Sequence, residues 1–403
     1  MIVGAALSGL LAIVGSAAIS RAARVEMMMR LLIRSACMLW MLVPGHGSAL
    51  VAQVPGTILA QEPMSGAPAG VTAWRIRYRT GGRDGVAPQE ATAVIMAPAD
   101  AADRGPRKVV AWAHGTWGVA STCAPSQGQR FFEATPAMSA VAMGYVVVAP
   151  DYPGLGTDAT HPYLIGQPTG QSVIDAVRAA LAMPAVNAGR RYVVWGESQG
   201  GHAALWTAMT AGTAPELELI GVAAGAPPTD LAANFREASD PNARAFLTAL
   251  TADSWSRYFG MPLDIGRRRT PGIIRKLASN CISSTATPRL GALVGMIALR
   301  SDLKNDDFAA RTPWSRIMAE NSASPSFSVP LLLAQTREDP LVSPKVTRTF
   351  ARKACLRGLK VRWIDLPGKD HAATASQSAF ATLQWIEDRF AGAPAPDDCR
   401  ALR

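Results

Sequence analysis

The residues best placed to do chemistry form the pentapeptide Gly-Glu-Ser-Gln-Gly at 196–200. An apolar run at 191–195 precedes it and predicts a strand, and the following residues 199–211 are typical of a helix. A Gly-x-Ser-x-Gly turn between a strand and a helix places its serine on a sharp bend, with the hydroxyl projecting above the sheet. Side chains at the two glycines would collide with the neighbouring strand and helix. The pattern predicts Ser198 as a nucleophile; the alternative is a glycine-rich turn with an ordinary serine.

A serine hydroxyl becomes a good nucleophile only when a base removes its proton, and the base needs an acid to orient it. After a turn of this kind the acid comes next in the chain and the base last. Three of the five histidines precede the serine: His46, His114 and His161. His202 lies one helical turn beyond Ser198, where packing or orientation is its expected role. His371, on a loop after a predicted strand, is therefore the predicted base; the alternative is a surface loop histidine.

The acid is expected where the preceding strand, residues 330–335, ends. We choose Asp339 over Glu338 because Pro340 follows it and favours a rigid turn. Two further aspartates are poorer candidates, one at the end of its own strand and one adjacent to the base: Asp365 and Asp370.

Ester hydrolysis also requires donors for the oxyanion of the tetrahedral intermediate. One is the backbone N–H of Gln199, which follows the nucleophile. The other is the N–H of Thr116, just beyond the strand at 108–113, and the Thr116 hydroxyl is a possible third donor. A plain strand-end turn is the alternative. We expect Tyr152 and His114 to contact substrate. An equally supported alternative is that the turn containing Tyr152 only bounds the site.

The elements that must position these residues alternate between strand and helix. Two alternating segments predict an antiparallel pair: 74–79 and 91–96. Short apolar runs typical of buried parallel strands follow at 108–113, 145–149, 192–195, 219–222, 330–334 and 361–366. Helical segments lie between them at 171–183, 199–211, 345–357 and 376–390. This order predicts an α/β-hydrolase fold, a mostly parallel sheet with helices on both faces.

The alternation stops between residues 226 and 328, where four segments are helix-like: 230–238, 243–258, 272–278 and 290–303. We interpret 226–328 as a helical cap or lid over the site, because the predicted acid follows directly after it. The alternative is a separate domain. The hydrolase core then comprises 71–225 and 329–403, and the residues rich in proline, glycine and alanine at 53–70 are expected to be a flexible mature N-terminus.

Residues 1–52 are expected to be a leader. Basic residues, an apolar stretch and small residues follow one another between Arg30 and Ala49, as in a signal peptide cleaved near 49–52. The methionines at 27–29 suggest that translation begins there. The protein is then secreted or periplasmic; a membrane anchor is the minor alternative.

Outside this leader, which contains Cys37, four cysteines remain: Cys123, Cys281, Cys355 and Cys399. An even number in an exported protein indicates two disulfides, with three possible pairings. The spacing is not that of metal ligands, so no metal site is expected.

The formal net charge is +10 and its basic residues are scattered, with one cluster at 267–269. Because no basic stripe with interleaved aromatic residues is present, we expect weak attraction to anionic surfaces and no nucleic-acid partner. The expected partners are an ester or lipid substrate and, transiently, a lipid interface. No obligate protein partner is inferred.

Five segments together resemble the secretory lipases of fungi and bacteria: 113–116, 123–126, 148–156, 196–202 and 214–221. The resemblance implies an α/β-hydrolase with a helical lid that acts on carboxylic esters and needs no cofactor. It implies a nucleophile, an acid, a base and two oxyanion residues at Ser198, Asp339, His371, Thr116 and Gln199. It also implies two disulfide pairs, Cys123 with Cys281 and Cys355 with Cys399.

The residues and the resemblance together predict a secreted serine lipase or esterase that works through an acyl-enzyme. Three alternatives remain: a short-chain carboxylesterase, a serine peptidase on the same scaffold, and a non-catalytic lipid-binding protein. The intact serine, aspartate and histidine argue against the last, because lipid binding requires none of them.

Overall fold

The computed structural model describes residues 54–81, 88–101, 105–282, 290–304 and 306–402. The predictions for the leader, namely its start, its cleavage site and the alternative of an anchor, lie outside these residues.

A nine-stranded sheet organises the described chain. In chain order its strands are β1 Ile58–Pro63, β2 Val71–Thr80, β3 Gln89–Pro98, β4 Arg107–Ala113, β5 Val146–Pro150, β6 Ala188–Glu197, β7 Glu218–Gly225, β8 Leu331–Thr336 and β9 Val361–Leu366. Their order across the sheet is β1-β2-β3-β5-β4-β6-β7-β8-β9. The pairs from β1 to β3, and β3 with β5, are antiparallel, and every pair from β5 to β9 is parallel.

The register brings the carboxyl ends of four strands to one edge of the sheet. Ala113 of β4 pairs with Gly196 of β6, and Thr336 of β8 pairs with Leu366 of β9. Strand β7 lies between β6 and β8. Loops that leave β4, β6, β8 and β9 therefore meet above this edge, where α/β sheets place their sites.

Helices pack on both faces of the sheet and also make up much of the segment between β7 and β8. In chain order they are α1 Met138–Ala142, α2 Gly166–Leu181, α3 Gln199–Thr210, α4 Leu231–Glu237, α5 Pro241–Tyr258, α6 Thr270–Ala278, α7 Leu290–Asp302, α8 Trp314–Asn321, α9 Pro344–Leu356, α10 Thr374–Phe390 and α11 Cys399–Leu402. None of the helices among the described residues is both long and apolar enough to cross a bilayer.

Strand β4 shows why the sheet needs helices on both sides. Val109 and Ala111 belong to the apolar cluster that contains residues of α2 and α3. Val110 and Trp112 belong to the cluster on the other face, with residues of α10. Successive side chains of a strand point to opposite faces, so a strand that is apolar throughout must be covered twice. The predicted α/β-hydrolase fold is confirmed.

The expectation that 53–70 is flexible is wrong for residues 58–63. Ile58–Pro63 forms β1 and pairs in antiparallel register with β2. Its first two side chains are half-buried and its last four are exposed, two of which, Gln61 and Glu62, are polar or charged. An edge strand held mainly by its backbone ladder leaves little apolar periodicity in the sequence, which is why the pattern did not reveal it.

The residues between β7 and β8, 226–328, which we call the cap, carry helices α4 to α8. Their apolar side chains form a third cluster, separate from the two on the sheet. Four residues from loops of the hydrolase core join that cluster: Val119, Tyr163, Leu164 and Ile165. The cap therefore shares its core with loops at the carboxyl edge of the sheet.

Two disulfides link described residues, Cys123–Cys281 and Cys355–Cys399. This is the pairing that the resemblance implies. The first joins a loop after β4 to the cap, and the second joins α9 to α11.

Candidate active site

Ser198 lies on the turn between β6 and α3. Its backbone angles, φ 55° and ψ −118°, are rare for a residue with a side chain. The Ser198 N–H donates to Gly225 O at 2.8 Å, which fixes the turn against β7. A Cβ at Gly200 would lie 1.8 Å from Ala113 O, and one at Gly196 would lie 2.1 Å from Gly200 O. Only glycine fits at either position, as the pentapeptide predicts.

The structure brings Ser198, His371 and Asp339 into one chain of hydrogen bonds. The Ser198 hydroxyl lies 2.8 Å from His371 Nε2, and His371 Nδ1 lies 2.7 Å from Asp339 Oδ2. With Nδ1 donating to the carboxylate, Nε2 is left as the acceptor for the serine proton. This is the arrangement in which a neutral imidazole can act as a general base.

Asp339 is held by groups other than the histidine. Its Oδ1 accepts the N–H groups of Leu341 and Val342, both at 2.9 Å, and Gln335 Nε2 donates to Oδ2 at 3.1 Å. The carboxylate side chain is fully buried. Fixed donors on both oxygens leave the carboxylate one orientation toward His371 Nδ1.

His371 has a raised pKa although it is buried. Burial by itself lowers the pKa of this imidazole, but the hydrogen bond to Asp339 and the charge of Asp339 more than offset it. Thr374, at the start of α10, donates its hydroxyl to His371 O at 2.8 Å and holds the loop. The base is thus poised to accept a proton and fixed in place.

The two predicted oxyanion residues flank the serine. Gln199 is the first residue of α3, so its N–H lacks the carbonyl partner that later helical residues have, and it lies at the positive end of the helix. On the other side, a Cβ at Gly115 would lie 3.9 Å from Ser198 Cβ, which places the loop of Thr116 beside the nucleophile. The Thr116 hydroxyl lies 3.0 Å from the hydroxyl of Tyr163.

Tyr152 and His114, which are expected to contact substrate, are both buried. Tyr152 is 0% exposed and donates its hydroxyl to His114 O at 3.0 Å. His114 is also buried and packs its ring on that of Tyr152, with centroids 4.3 Å apart. Both side chains lie within the protein beside the loop that leads to Thr116. Their contact with substrate stays a prediction, as does the alternative that this turn only bounds the site.

Three residues near the serine were not predicted from the sequence: Glu197, His161 and Tyr163. Glu197 Oε1 accepts the N–H of Ala375 at 2.8 Å, and the other two contact the oxyanion residues. His161 and Tyr163 lie in a loop between β5 and α2 without a motif, so nothing in the sequence marks them. Glu197 occupies an unspecified position of the Gly-x-Ser-x-Gly pattern, which assigns it no role.

Other features of the described chain do not compete with this site. No group of three or more His, Cys, Asp or Glu side chains among the described residues is arranged to hold a metal ion. A cavity of about 850 Å³ is lined by residues of α2 and of the segment before β1, and not by the serine, histidine or aspartate described above.

Residues 129–398 match the secretory lipase family, a range that includes Ser198, Asp339 and His371. Lipase 10 of Candida albicans is 26% identical over 86% of this chain and 80% of that protein. The secreted triacylglycerol lipase LIP4 of Malassezia globosa is 25% identical over 81% and 74%. A Mycobacterium tuberculosis protein named "Probable inactive lipase" is 25% identical over 85% and 80%.

Two solved structures share the fold. Lipase A of Candida antarctica superposes with a TM-score of 0.70 at 18% identity, covering 87% of this chain and 86% of that one. The rice cell wall degrading esterase LipA of Xanthomonas oryzae gives a TM-score of 0.62 at 21% identity, covering 84% and 98%. The fold is that of these lipases and esterases, and the family match extends over most of the chain. The chain belongs to the secretory lipase family and is a carboxylic ester hydrolase.

Proposed function

We propose that the protein is an exported lipase that cleaves carboxylic esters through an acyl-enzyme on Ser198, with His371 as base and Asp339 as the acid that orients it. One observation carries the proposal: the unbroken hydrogen-bond chain from the Ser198 hydroxyl through His371 to a buried, fixed Asp339. A histidine and a carboxylate with purely structural roles would not need the serine hydroxyl at the free ring nitrogen.

In the first half-reaction the Ser198 oxygen attacks the ester carbonyl while His371 Nε2 takes its proton. Asp339 stabilises the imidazolium that forms. The N–H groups of Gln199 and Thr116 bind the negative oxygen of the tetrahedral intermediate. His371 then gives its proton to the leaving alcohol, and a water activated by the same histidine releases the acid and restores the serine.

One relative is named a probable inactive lipase, but activity of this protein is supported by its own residues. Each of the three side chains is present, and each makes the contact that its role requires. The backbone of Ser198 also has the rare geometry of a nucleophile on a sharp strand-to-helix turn.

A lipid substrate is supported by the cap surface and by two relatives. Relatives in Malassezia globosa are named secreted triacylglycerol lipases. In this chain, helix α7 of the cap exposes Leu293, Val294 and Ile297 at 42%, 59% and 66%. Basic side chains lie beside this apolar face, including Arg300 and Lys304. An apolar strip with a basic margin suits transient contact with an anionic lipid surface.

Export is supported by the two disulfides, which persist in oxidising compartments, and by the family. Residues 1–52 serve as a cleaved leader under this proposal. N-terminal sequencing of protein recovered from the medium or periplasm tests it, and an intact residue 1 would contradict cleavage.

The activity is tested with Ser198→Ala and Asp339→Asn, measured on p-nitrophenyl esters and emulsified triglyceride. We expect Ser198→Ala to reduce kcat by about 10⁶-fold, as removal of a triad serine does, and Asp339→Asn by about 10⁴-fold. Thermal melting serves as the control for folding. Near-wild-type turnover by folded Ser198→Ala protein would remove Ser198 from its role.

A further inference from the structure

A buried turn between β5 and α2, residues 161–163, contacts the side chains of both oxyanion residues. Gln199 Nε2 lies 2.9 Å from His161 Nε2, and the Tyr163 hydroxyl lies 3.0 Å from Thr116 Oγ1. His161 and Tyr163 are both buried. Two donors that must converge on one oxyanion are thus each held, through their side chains, by residues only two positions apart.

The protonation of His161 suits this role. Its Nδ1 donates to Pro153 O at 2.9 Å, so Nε2 is free to accept from the Gln199 amide. Burial lowers the pKa of His161 to about 3, and the imidazole therefore stays neutral throughout the range in which ester hydrolases work. Burial raises the pKa of Tyr163 to about 12, so its hydroxyl also stays neutral.

The same turn is fastened to the cap by helix α5. Ser254 Oγ donates to His161 O at 2.6 Å and accepts the Tyr163 N–H at 3.1 Å. Trp255 Nε1 donates to Tyr163 O at 2.7 Å. Ser254 and Trp255 are fully buried. Three hydrogen bonds from two adjacent cap residues therefore fix the backbone of the turn.

The path from cap to nucleophile is short and contiguous: Ser254 and Trp255 hold the turn, and the turn holds Gln199 and Thr116. We propose that His161 and Tyr163 are positioning residues, which fix the positions of the two oxyanion donors. The alignment of these donors therefore depends on how cap helix α5 packs against the turn. This inference rests on the proposed function, because it assumes that the N–H groups of Gln199 and Thr116 bind the oxyanion.

The expected effects are on kcat rather than on KM. Oxyanion donors act on charge that develops in the transition state, and loss of one typically costs 10²–10³-fold in kcat. A variant that loosens a donor without removing it should lose less kcat than one that removes the donor. We therefore expect roughly a tenfold loss for each positioning residue, since misplacement of a reacting geometry by about 1 Å can cost 10²-fold.

The first test compares Tyr163→Phe with Tyr78→Phe. Tyr78 is also fully buried, but it donates its hydroxyl to Ser172 O of helix α2, at 2.8 Å, and not to an oxyanion residue. Each variant loses one buried hydroxyl and one hydrogen bond, so both should lower Tm. Only Tyr163→Phe should lower kcat about tenfold with little change in KM. Equal kcat values for the two variants would overturn the inference.

His161 is tested by rescue. His161→Gln keeps an acceptor for the Gln199 amide, whereas His161→Leu has similar bulk and no acceptor. We expect kcat to fall in both, with the glutamine variant retaining the larger share. Affinity for an alkyl boronic acid, which forms a tetrahedral adduct on the serine, should fall in parallel with kcat, because that adduct requires the oxyanion donors. Boronate affinity that is unchanged in His161→Leu would contradict the role.

Ser254→Ala tests the link to the cap. The matched control is Thr251→Val in the same helix, since the Thr251 hydroxyl is buried and has no hydrogen-bond partner among the described residues. A fall in kcat for Ser254→Ala alone supports the coupling, and equal kcat in both variants would overturn it.

The wild-type protein separates failure of the proposed function from failure of this inference. Wild-type protein that neither hydrolyses esters nor reacts with a phosphonate would refute both. An active wild type whose variants keep the wild-type kcat would refute only the inference.

Discussion

Glu197, the residue before the nucleophile, places a titratable charge next to the base. Burial raises the pKa of Glu197 to about 7, although the hydrogen bond from the Ala375 N–H and the charge of His371 oppose this shift. The charges of Asp370 and Asp339 act in the same direction as burial. Glu197 therefore changes charge near neutral pH, and its ionised form in turn raises the pKa of His371.

Glu197→Gln should extend activity to lower pH. Glutamine keeps an oxygen for the Ala375 N–H but carries no charge, so the pKa of His371 should fall toward its ordinary value. Because His371 must be neutral to accept the serine proton, the acid limb of the kcat/KM profile should move to lower pH. The measurement is a pH series of ester hydrolysis with the released acid quantified by chromatography.

The control for this substitution is Glu218→Gln, which removes a charge at the amino end of β7, away from the site. Its acid limb should coincide with that of the wild type. An acid limb of Glu197→Gln at the wild-type position, or at higher pH, would show that Glu197 does not act on the base.

At the residue scale, the sequence was informative wherever position along the chain decides a role. Ser198, Asp339 and His371 each follow a strand at the same edge of the sheet, and the order of acid and base in the chain left few choices. Tyr152 and His114 also follow strand ends, yet their side chains turn inward. Which way a loop side chain points depends on contacts with distant segments, and for the same reason His161 and Tyr163 could not be found.

At the scale of elements, buried strands were easier to predict than exposed ones. Strands β4 to β8 contain short apolar runs because both of their faces are covered, whereas β1 lies at an edge of the sheet and shows no such run. In the cap, the loss of strand periodicity correctly predicted helices, but α8 Trp314–Asn321 was missed. That helix has only eight residues, and its place in the cap cluster is set by packing against other helices.

Helix α7 provides a test of lipid contact at this scale. Ile297→Ser should weaken adsorption to anionic vesicles by about tenfold. Full burial of one large aliphatic side chain contributes about 1.5–3 kcal/mol, Ile297 is 66% exposed so only that part remains to be buried, and 1.4 kcal/mol is tenfold. Activity on emulsified triglyceride should fall with it, while activity on a soluble short ester should not. Vesicle sedimentation and the two activity assays measure these effects.

Phe380→Ser is the matched control for Ile297→Ser, because Phe380 is a large apolar side chain exposed at 86% on helix α10 of the hydrolase core. It should leave adsorption unchanged. Equal losses in both variants would indicate general surface hydrophobicity, and no loss in Ile297→Ser would remove α7 from the lipid contact.

At the scale of the whole molecule, the two disulfides differ in what they connect. Cys123–Cys281 joins the loop after β4 to the cap, and next to it the Ile282 N–H donates to Trp117 O at 2.8 Å. Cys355–Cys399 joins α9 to the C-terminal helix, α11. The number of cysteines predicted two bridges, but spacing left three pairings open, because pairing depends on which distant segments meet in the fold.

Removing either disulfide should lower stability, but only one removal should also impair catalysis. In the chain-entropy account a bridge contributes about 2–5 kcal/mol. The separations of 158 and 44 residues make the first contribution larger by about 1 kcal/mol. Cys123→Ala/Cys281→Ala should therefore show the lower Tm.

The same double variant should also show a lower kcat at temperatures where it remains folded, because this bridge fixes the loop of Thr116 against the cap. Cys355→Ala/Cys399→Ala should keep the wild-type kcat. Thermal melts and kcat measured well below both melting temperatures separate the two effects; equal kcat values would show that the cap bridge stabilises the fold without aligning the site.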